Sequence, residues 1–378
     1  MSLKFVLAPD SFKESCTAEN VCEAMEIGIR KVFPDANIIK VPMADGGEGT
    51  VHALVEATGG KILKKDVKGP LGNLVSAEYG ILGNNKTAII EMASASGIHL
   101  VKKEDRNPYH TTTFGTGELI KDCLDRGIRD IILGIGGSAT NDGGKGMARA
   151  LGIRFLNNKE EELPPGGGQL HELTHIDTSE IHPALAECTI AIATDVSNPL
   201  FGEDGASTVF GPQKGASPEM VSHLDNGLKH YASVIKKELN KDVGTIPGSG
   251  GAGGLGAGLL AFTNSTIEPG INLVIRYSEL EKKLEGANYC FTGEGQIDFQ
   301  TKFGKTPFGV MKTAKKICPE IKVVALAGSI GHDIDVLYEE GMDGVFSITP
   351  GANDLHTLLE EGFSNISQTT ESICRLIK

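Results

Sequence analysis

The fold is decided by residues 5–60, which read FVLAPDSFKESCTAENVCEAMEIGIRKVFPDANIIKVPMADGGEGTVHALVEATGG. Residues 5–8 form an apolar run without alternation, which is typical of a strand buried on both faces. Thr17 then predicts the N-cap of a first helix, because its hydroxyl can accept a hydrogen bond from the first turn. Residues 38–41 predict a second strand and residues 50–57 a second helix. This strand–helix–strand–helix order predicts a parallel sheet covered by helices.

The middle of the chain has a different pattern. Residues 61–68, 74–82 and 86–92 are short strand-like segments joined by turns rich in glycine and asparagine, which favour hairpins. The alternation of strands and helices resumes near residue 289 and ends in one long amphipathic helix predicted over 354–376.

We therefore expect an α/β fold in which a discontinuous Rossmann-like parallel-sheet domain carries an inserted α+β mixed-sheet domain. The Rossmann-like domain is predicted to comprise residues 1–60 and 284–378, and the inserted domain residues 61–283. The alternative is a division into residues 1–190 and 191–378, which does not explain why the strand–helix pattern occurs at both ends of the chain.

The composition restricts the class of protein. With 40% hydrophobic and 22% charged residues among 378, the chain can fill a core and is not globally disordered. The net charge is −13 and lysines and arginines form no cluster, which argues against nucleic acids and membrane surfaces as partners. The 49 glycines form no repeat and indicate tight turns and ligand-binding loops. An anionic substrate would need locally placed backbone N–H groups, lysines and a divalent cation.

Cysteine usage and the N-terminal sequence indicate the compartment. The seven cysteines are odd in number and form no C-x-x-C pair, so reduced, mostly buried thiols are expected and a zinc site is not. The N-terminus lacks the charged, apolar and small-residue order of a signal peptide, and no apolar run reaches the ~18 residues that span a bilayer. We therefore predict a cytoplasmic protein.

Two glycine-containing motifs resemble nucleotide-binding loops but are incomplete. Residues 303–306, Phe-Gly-Lys-Thr, have the tail of a P-loop, yet residue 299 is Phe where the first glycine is required. Residues 134–139 match the loose G-x-G-x-x-A dinucleotide pattern. The acids about 20 residues further on, at 160–162, lie in a polar run typical of a surface loop. An NAD-dependent hydroxy-acid dehydrogenase stays as the alternative function.

The most glycine-dense stretch, residues 247–258, has two explanations that the sequence does not separate. Its N–H groups can surround a phosphate at a helix N-terminus, as in many nucleotide sites. Its glycines can equally let a helix pack closely on a neighbour.

Polar residues follow several predicted strands, at the positions where open parallel sheets bind ligands. In chain order they are Asp10, Ser11 and Lys13; Asp45, Gly46 and Gly47; Ser138 and Asn141; Asp195; Lys214; and Gly293, Glu294, Gly295 and Gln296. Carboxylates are ligands of Mg²⁺, whereas lysines and backbone N–H groups bind phosphoryl oxygens. A single acid after a strand is more often a turn former, but the repetition favours magnesium-phosphate chemistry.

These motifs together resemble those of the class I (bacterial-type) glycerate kinases along essentially the whole chain. The matching segments are APDSFKE (8–14), PMADGGEGT (42–50), RNP (106–108), GTGELI (115–120), GIGGSATNDGG (134–144), FGPQKGA (210–216) and TGEG (292–295). The resemblance implies ATP- and Mg²⁺-dependent phosphorylation of D-glycerate, which commonly gives 2-phosphoglycerate in bacterial members; the 3-phosphoglycerate outcome is left open. It also implies small-molecule substrates and an active site in a cleft between two α/β domains. The oligomeric state is left open, with a homo-oligomer as one alternative.

The residue roles are hypotheses that combine these motifs with phosphoryl-transfer chemistry. Asp195 is the predicted acceptor of the glycerate hydroxyl proton, with a turn-capping acid as the alternative, and Lys13 and Lys214 are predicted to bind the transferring phosphate. Asp45 and Glu294 are the predicted metal ligands. The predicted substrate-binding residues are Arg106, Ser138, Asn141, Asp10 and Ser11, and the predicted nucleotide- or phosphate-binding residues are Gly46, Gly47, Gly293, Gly295 and Gln296.

Overall fold

The computed structural model describes residues 3–378. Within them the strands are β1 (Lys4–Leu7), β2 (Asn37–Lys40), β3 (Lys61–Lys68), β4 (Leu74–Ile81), β5 (Thr87–Glu91), β6 (Asp130–Gly134), β7 (Arg154–Leu156), β8 (His175–Asp177), β9 (Thr189–Ala193), β10 (Asn264–Glu268), β11 (Tyr289–Ile297), β12 (Lys322–Ile330) and β13 (Gly344–Ser347). The α-helices are α1 (Ala18–Arg30), α2 (Thr50–Thr58), α3 (Ala93–Ser96), α4 (Phe114–Asp125), α5 (Lys145–Ala150), α6 (Ala206–Phe210), α7 (Pro218–Leu239), α8 (Gly251–Phe262), α9 (Gly270–Tyr277), α10 (Leu280–Leu284), α11 (Thr306–Ile317), α12 (Asp335–Glu339), α13 (Leu355–Glu360) and α14 (Gly362–Ile377).

The chain forms two compact units. Unit 1 contains the described residues up to Gly60 together with Pro269–Lys378, and unit 2 contains Lys61–Glu268. The inserted segment was expected to extend to residue 283, but α9 and α10 pack against α11 and belong to unit 1. Pro269 is the N-cap residue of α9 directly after β10, so the chain changes unit where this strand ends.

Unit 1 is built on a five-stranded sheet with the order β13-β12-β11-β1-β2. Every adjacent pair in it is parallel, as the alternation of strands and helices predicts. From β1 the chain proceeds outward to β2 on one side, and from β11 it proceeds to β12 and β13 on the other. The strand order therefore reverses between β1 and β11, and sheets of this kind bind ligands beyond the carboxyl ends of the strands at this point.

Helix α1 illustrates how one face of this sheet is buried. Oγ1 of Thr17 accepts a hydrogen bond from the backbone N–H of Asn20 at 3.2 Å, which confirms the predicted N-cap. On the buried face of α1, Met25 is fully covered and clusters with Phe5 of β1 and Ile366 of α14. Each such side chain stabilises the unit by roughly 1.5–3 kcal/mol through removal of apolar surface from water.

The helix predicted over 354–376 is two helices in the structure. Helix α13 ends at Glu360 and α14 begins at Gly362. A Cβ atom on Gly362 would lie 2.0 Å from Oγ of Ser15, so the chain passes too close to this neighbour to carry a side chain. The prediction of one helix is wrong, because Glu361 separates α13 from α14, where Oγ of Ser15 donates to the carbonyl oxygen of Leu359 at 2.6 Å.

Unit 2 is built on a six-stranded sheet with the order β10-β9-β6-β5-β4-β3. Strands β3, β4 and β5 pair antiparallel, as the hairpin-type turns predict, whereas β5, β6, β9 and β10 are parallel. The mixed sheet of unit 2 and the parallel sheet of unit 1 together confirm the predicted α/β class.

The glycine-rich stretch 247–258 leads into α8 and lies against the loop that follows β6. Residues 252–254 have positive φ values, so the regular part of α8 begins only after them. A Cβ atom on Gly253 would lie 2.0 Å from the carbonyl oxygen of Thr140. Of the two explanations for the stretch, close backbone packing accounts directly for this glycine.

The state of the cysteines agrees with the prediction from the sequence. All seven cysteines are free, and each except Cys318 is buried, which confirms the expectation of mostly buried thiols. In the part of the chain that the structure describes, no helix combines the length and the apolar character needed to cross a membrane.

Candidate functional site

Three carboxylates lie at the point of strand-order reversal in unit 1: Asp10, Asp45 and Glu294, here called the acidic cluster. Asp10 follows β1, and its backbone N–H donates to the carbonyl oxygen of Gly293 in β11 at 2.9 Å. Glu294 lies in β11 itself, opposite Ala327 of β12, and Asp45 follows β2. The sheet topology therefore brings together acids that are far apart in the sequence.

Burial and mutual repulsion raise pKa values within the acidic cluster. The pKa of Asp10 is raised to about 6, mainly because burial removes water from its carboxylate, and the charge of Asp45 adds to this rise. Burial likewise raises the pKa of Glu294 to about 7, with smaller contributions from Asp10 and Asp45. Carboxylates held together against their own repulsion form a site that favours a cation.

The side chains that hold the acidic cluster were not selected from the sequence. Oγ1 of Thr306 donates to Oδ2 of Asp10 at 2.6 Å, and Oγ1 of Thr301 donates to Oε1 of Glu294 at 3.0 Å. Nζ of Lys305 lies 3.7 Å from the same oxygen of Glu294. Lys305 and Thr306 are the last two residues of the Gly-Lys-Thr motif, which is incomplete as a P-loop. This motif is the feature of the sequence that could have indicated their place beside the acidic cluster.

The remaining residues predicted near β1 and β2 have varied environments. The backbone N–H of Ser11 donates to Oδ1 of Asp10 at 2.6 Å, and that of Gly47 donates to Oδ1 of Asp45 at 3.0 Å. These two N–H groups hold the carboxylates of the acidic cluster. Gly46 has φ +94°, which favours glycine at the turn after Asp45. Lys13 is exposed.

Gly293, Gly295 and Gln296 were expected in a loop after a short strand. Instead β11 continues to Ile297, and these three residues belong to the sheet. A Cβ atom on Gly293 would lie 2.4 Å from the carbonyl oxygen of Leu326, so this glycine allows β12 to approach. The expectation of a loop is wrong because β11 extends through these residues, with Gly293 packed against β12.

Unit 2 carries a second polar group, Arg106, Ser138 and Lys214, here called the basic cluster. Nζ of Lys214 donates to Oγ of Ser138 at 2.8 Å and to the carbonyl oxygen of Thr140 at 2.7 Å. Lys214 is only 2% exposed, so its ammonium group contacts protein atoms and not solvent. Burial lowers the pKa of Lys214 to about 7, and the charge of Asp142 opposes this decrease.

Arg106 lies beside the loop that carries Lys214. Its Nη1 donates to the carbonyl oxygen of Gln213 at 3.4 Å and its Nε to that of Val101 at 3.5 Å. A Cβ atom on Gly215 would lie 2.2 Å from the carbonyl oxygen of Arg106, so this glycine allows the two segments to touch. The two hydrogen bonds of Arg106 use only part of the five N–H donors of a guanidinium, which leaves donors for an anion.

Asn141 and Asp142 shape the loop after β6. Asn141 is fully buried, and its Nδ2 donates to Oγ of Ser207 at 2.8 Å. Asp142, which has no role among the sequence predictions, is also fully buried and accepts from the N–H groups of Thr113 at 2.9 Å and Gly146 at 3.1 Å. These bonds make both residues positioning residues for the loop that carries Ser138.

Asp195 lies beyond the end of β9 and is exposed. Strand β9 is parallel to β6, with Ala193 opposite Gly134. The segments that follow these two strands therefore leave the sheet at the same edge. The structure therefore places Asp195 at the edge of unit 2 from which the Ser138 loop also leaves.

The dinucleotide pattern at 134–139 lacks the helix that its interpretation requires. In dinucleotide-binding folds the helix begins at the glycines, so that its N-terminus faces the pyrophosphate. Here the chain forms a loop after β6, and α5 begins only at Lys145. This geometry does not support the dehydrogenase alternative.

Comparisons with known proteins find similar sequences along the whole chain. Residues 5–378 match the model of the glycerate kinase family. The chain is 50% identical to a glycerate kinase of Halalkalibacterium halodurans, with 97% of this chain and 96% of that protein covered. It is 48% identical to the glycerate 2-kinase of Escherichia coli K12, with 98% and 97% covered. A crystal structure described as glycerate kinase 2 of Salmonella typhimurium LT2 matches with a TM-score of 0.92 and 46% identity, covering 100% of this chain and 98% of that chain.

Proposed function

Because the chain belongs to the glycerate kinase family, we propose that it transfers the γ-phosphoryl group of ATP to the 2-hydroxyl of D-glycerate. The observation that carries this proposal is the similarity to a glycerate 2-kinase over nearly the whole length of both chains. In the transfer, the glycerate oxygen forms a bond to phosphorus and the bond from phosphorus to the β,γ-bridging oxygen breaks. The hydroxyl proton passes to a base, and the products are 2-phosphoglycerate and ADP.

The acidic cluster fits a Mg²⁺ ion that enters with the nucleotide. Among residues 3–378, no three His, Cys, Asp or Glu side chains are arranged to hold a metal by themselves. Such a cage is not required, because Mg²⁺ in phosphoryl-transfer sites uses one or two carboxylates together with phosphate and water oxygens. Asp45 and Glu294 would hold the ion, with Asp10 beside them, and the bound ion would neutralise phosphate charge. The raised pKa values of Asp10 and Glu294 support this assignment, since a nearby cation favours their ionised forms.

The basic cluster is the proposed site for the carboxylate of glycerate. The planar fork of Arg106 suits a carboxylate, and Ser138 can donate its hydroxyl to the same group or to a substrate hydroxyl. Lys214 is assigned as a positioning residue for Ser138, because its ammonium group is buried against Ser138 and Thr140. The exposed Lys13 in unit 1 stays the lysine proposed to bind the transferring phosphate.

Asp195 is the proposed base for the glycerate hydroxyl. Asp195→Asn should lower kcat by about 10²–10⁴-fold while KM for glycerate changes little, because the variant keeps the shape of the side chain and loses the proton acceptor. Asp204→Asn, at another exposed acid of unit 2, is the matched control and should behave like the wild type. A kcat close to that of the wild type in Asp195→Asn would exclude this role.

The proposed reaction is tested directly by incubating the protein with ATP, Mg²⁺ and D-glycerate and identifying the product by NMR. Formation of 2-phosphoglycerate and ADP is expected. Formation of 3-phosphoglycerate would contradict the position of transfer, and the absence of ADP would contradict the proposal as a whole. ATP with Mg²⁺ should raise the melting temperature, whereas NAD should not.

A further inference from the structure

Unit 1 contains a cavity of about 560 Å³, and of its lining residues only Asp10 and Lys13 have a role in the proposal above. Its lining comes from two segments, residues 10–19 and 42–56. These segments follow β1 and β2, which are adjacent parallel strands, so the cavity opens at the carboxyl edge of the sheet. Cavities of about 300–1,000 Å³ hold complete small-molecule ligands, and a three-carbon acid would fill only a small part of this one.

The inner surface of the cavity is apolar. Phe12, Met43 and Ala53 line it and are 3%, 0% and 5% exposed. Pro42 and Ala44, which are also buried, extend this surface. An aromatic ring, a methionine and small aliphatic groups form the type of surface on which a flat heteroaromatic ring packs.

The rim of the cavity is negatively charged. Glu14, Glu48 and Glu56 line it and are exposed, and Lys13 is the only lysine or arginine among the lining residues. A free anion such as glycerate is therefore repelled from this cavity. A neutral group that carries hydroxyl and amino donors is favoured, because ionised carboxylates only accept hydrogen bonds.

Asp10 connects the cavity to the acidic cluster, because it lines the cavity and also receives the hydrogen bond from Thr306. A ligand that fits both environments has a neutral, flat, donor-bearing part and an anionic part that binds through a cation. We propose that the cavity binds the purine and ribose of ATP, with the phosphate chain directed towards the acidic cluster. This assignment rests on the proposed use of ATP and specifies that unit 1 holds the nucleoside.

Photoaffinity labelling of the full-length protein tests the location. The probe is 8-azidoadenosine triphosphate with Mg²⁺, followed by proteolysis and mass spectrometry of the labelled peptides. We expect labels within residues 10–19 or 42–56 that excess ATP prevents. Labels that ATP prevents but that lie only in Lys61–Glu268 would overturn the proposal, because they would place the nucleoside in unit 2.

A variant that fills the cavity tests the fit. Ala53→Phe places a ring in the cavity, and we expect KM for ATP to rise by about tenfold or more with KM for glycerate little changed. Ala57→Phe, one turn further along α2 and outside the lining, is the control and should leave KM for ATP unchanged. An unchanged KM for ATP in Ala53→Phe would overturn the proposal. If circular dichroism shows that Ala53→Phe does not fold, Ala53→Leu provides the same comparison with a smaller side chain.

The two proposals fail in different ways. A wild-type protein that forms no ADP with glycerate contradicts the proposed function. A protein that phosphorylates glycerate at the expected rate, but is labelled elsewhere, contradicts only the nucleoside site.

Discussion

Replacing Glu294 by glutamine should stabilise the protein at neutral and alkaline pH while it removes a proposed metal ligand. The side chain of Glu294 is 12% exposed, and burial raises its pKa to about 7. Near pH 8 the folded protein must therefore hold an ionised carboxylate in a poorly hydrated position. Glutamine has nearly the same shape and can still accept the hydrogen bond from Thr301, but it carries no charge.

The size and pH range of this effect follow from the two pKa values. The difference between the ordinary value of 4.5 and about 7 corresponds to about 3 kcal/mol. Between these values the folded state binds more protons at Glu294 than the unfolded state does, so this group lowers the stability of the wild type as the pH rises. The Glu294→Gln variant does not show this decrease in stability, because glutamine does not titrate. The stability of the variant relative to the wild type should therefore rise between pH 4.5 and 7. Above pH 7 the variant should keep a constant advantage of roughly 4 °C in melting temperature, because the entropy of unfolding grows with chain length.

Differential scanning calorimetry from pH 4.5 to 8.5, with EDTA to remove divalent cations, measures this difference. Glu340→Gln is the matched control in the same unit, because Lys312 and Lys302 lower the pKa of Glu340. Glu340→Gln should therefore lower the stability at pH values above the ordinary pKa of a glutamate, whereas Glu294→Gln should raise it. A Glu294→Gln advantage that does not change with pH, or a variant less stable than the wild type at pH 8, would refute the reasoning.

Three further perturbations have outcomes fixed by the structure. Mg²⁺ with ADP should raise the melting temperature of the wild type, by the equivalent of about 2.7 kcal/mol at a hundredfold excess over Kd, and should have a much smaller effect on Asp45→Asn in calorimetry. For Lys214→Met, stability relative to the wild type should decrease as the pH rises from 7 to 10.5, because the unfolded lysine keeps its proton over this range and the buried one does not; urea titrations at several pH values measure this. Gly253→Ala should lower the free energy of unfolding by about 2 kcal/mol or more, since its φ is +66° and the new Cβ would meet the carbonyl oxygen of Thr140, whereas Gly227→Ala within α7 should raise it by up to about 1 kcal/mol.

The parts of the fold that are predictable from the sequence are those with local causes. The apolar run that forms β1 and the hydroxyl of Thr17 act on neighbouring residues, so their effects are visible without the tertiary structure. The separation of α13 from α14 at Glu361 has no such local signal, and the residue that contacts it, Ser15, comes from the other end of the chain and donates to the carbonyl oxygen of Leu359. Helix α7 was not predicted, although Leu224, Leu228 and Tyr231 repeat at helical spacing and are buried.

The same distinction applies to the candidate site. Asp10 was selected because polar residues after the strands of a parallel sheet face a common edge. Its partner Thr306 has no such signal, because the hydrogen bond joins a residue that follows β1 to one in α11, and only the folded unit brings the two together. Lys214 is predicted from the sequence to bind the transferring phosphate, but its side chain is buried against Ser138. The sequence shows that a side chain belongs to a loop. Whether that side chain is buried depends on how several loops pack against one another in the folded protein.

The proposed function requires a protein with a net charge of −13 to bind anionic substrates through locally placed groups. Unit 1 holds carboxylates whose ionised forms are destabilised by burial, and unit 2 holds Lys214, whose charged form is destabilised in the same way. A cation at the acidic cluster would favour the ionised carboxylates and would therefore be bound more tightly than the net charge suggests. The proposed function needs a cation at the acidic cluster and an anion beside Arg106 in the basic cluster. On this proposal, the local arrangement of charged groups, and not the net charge, selects the ion that each unit binds.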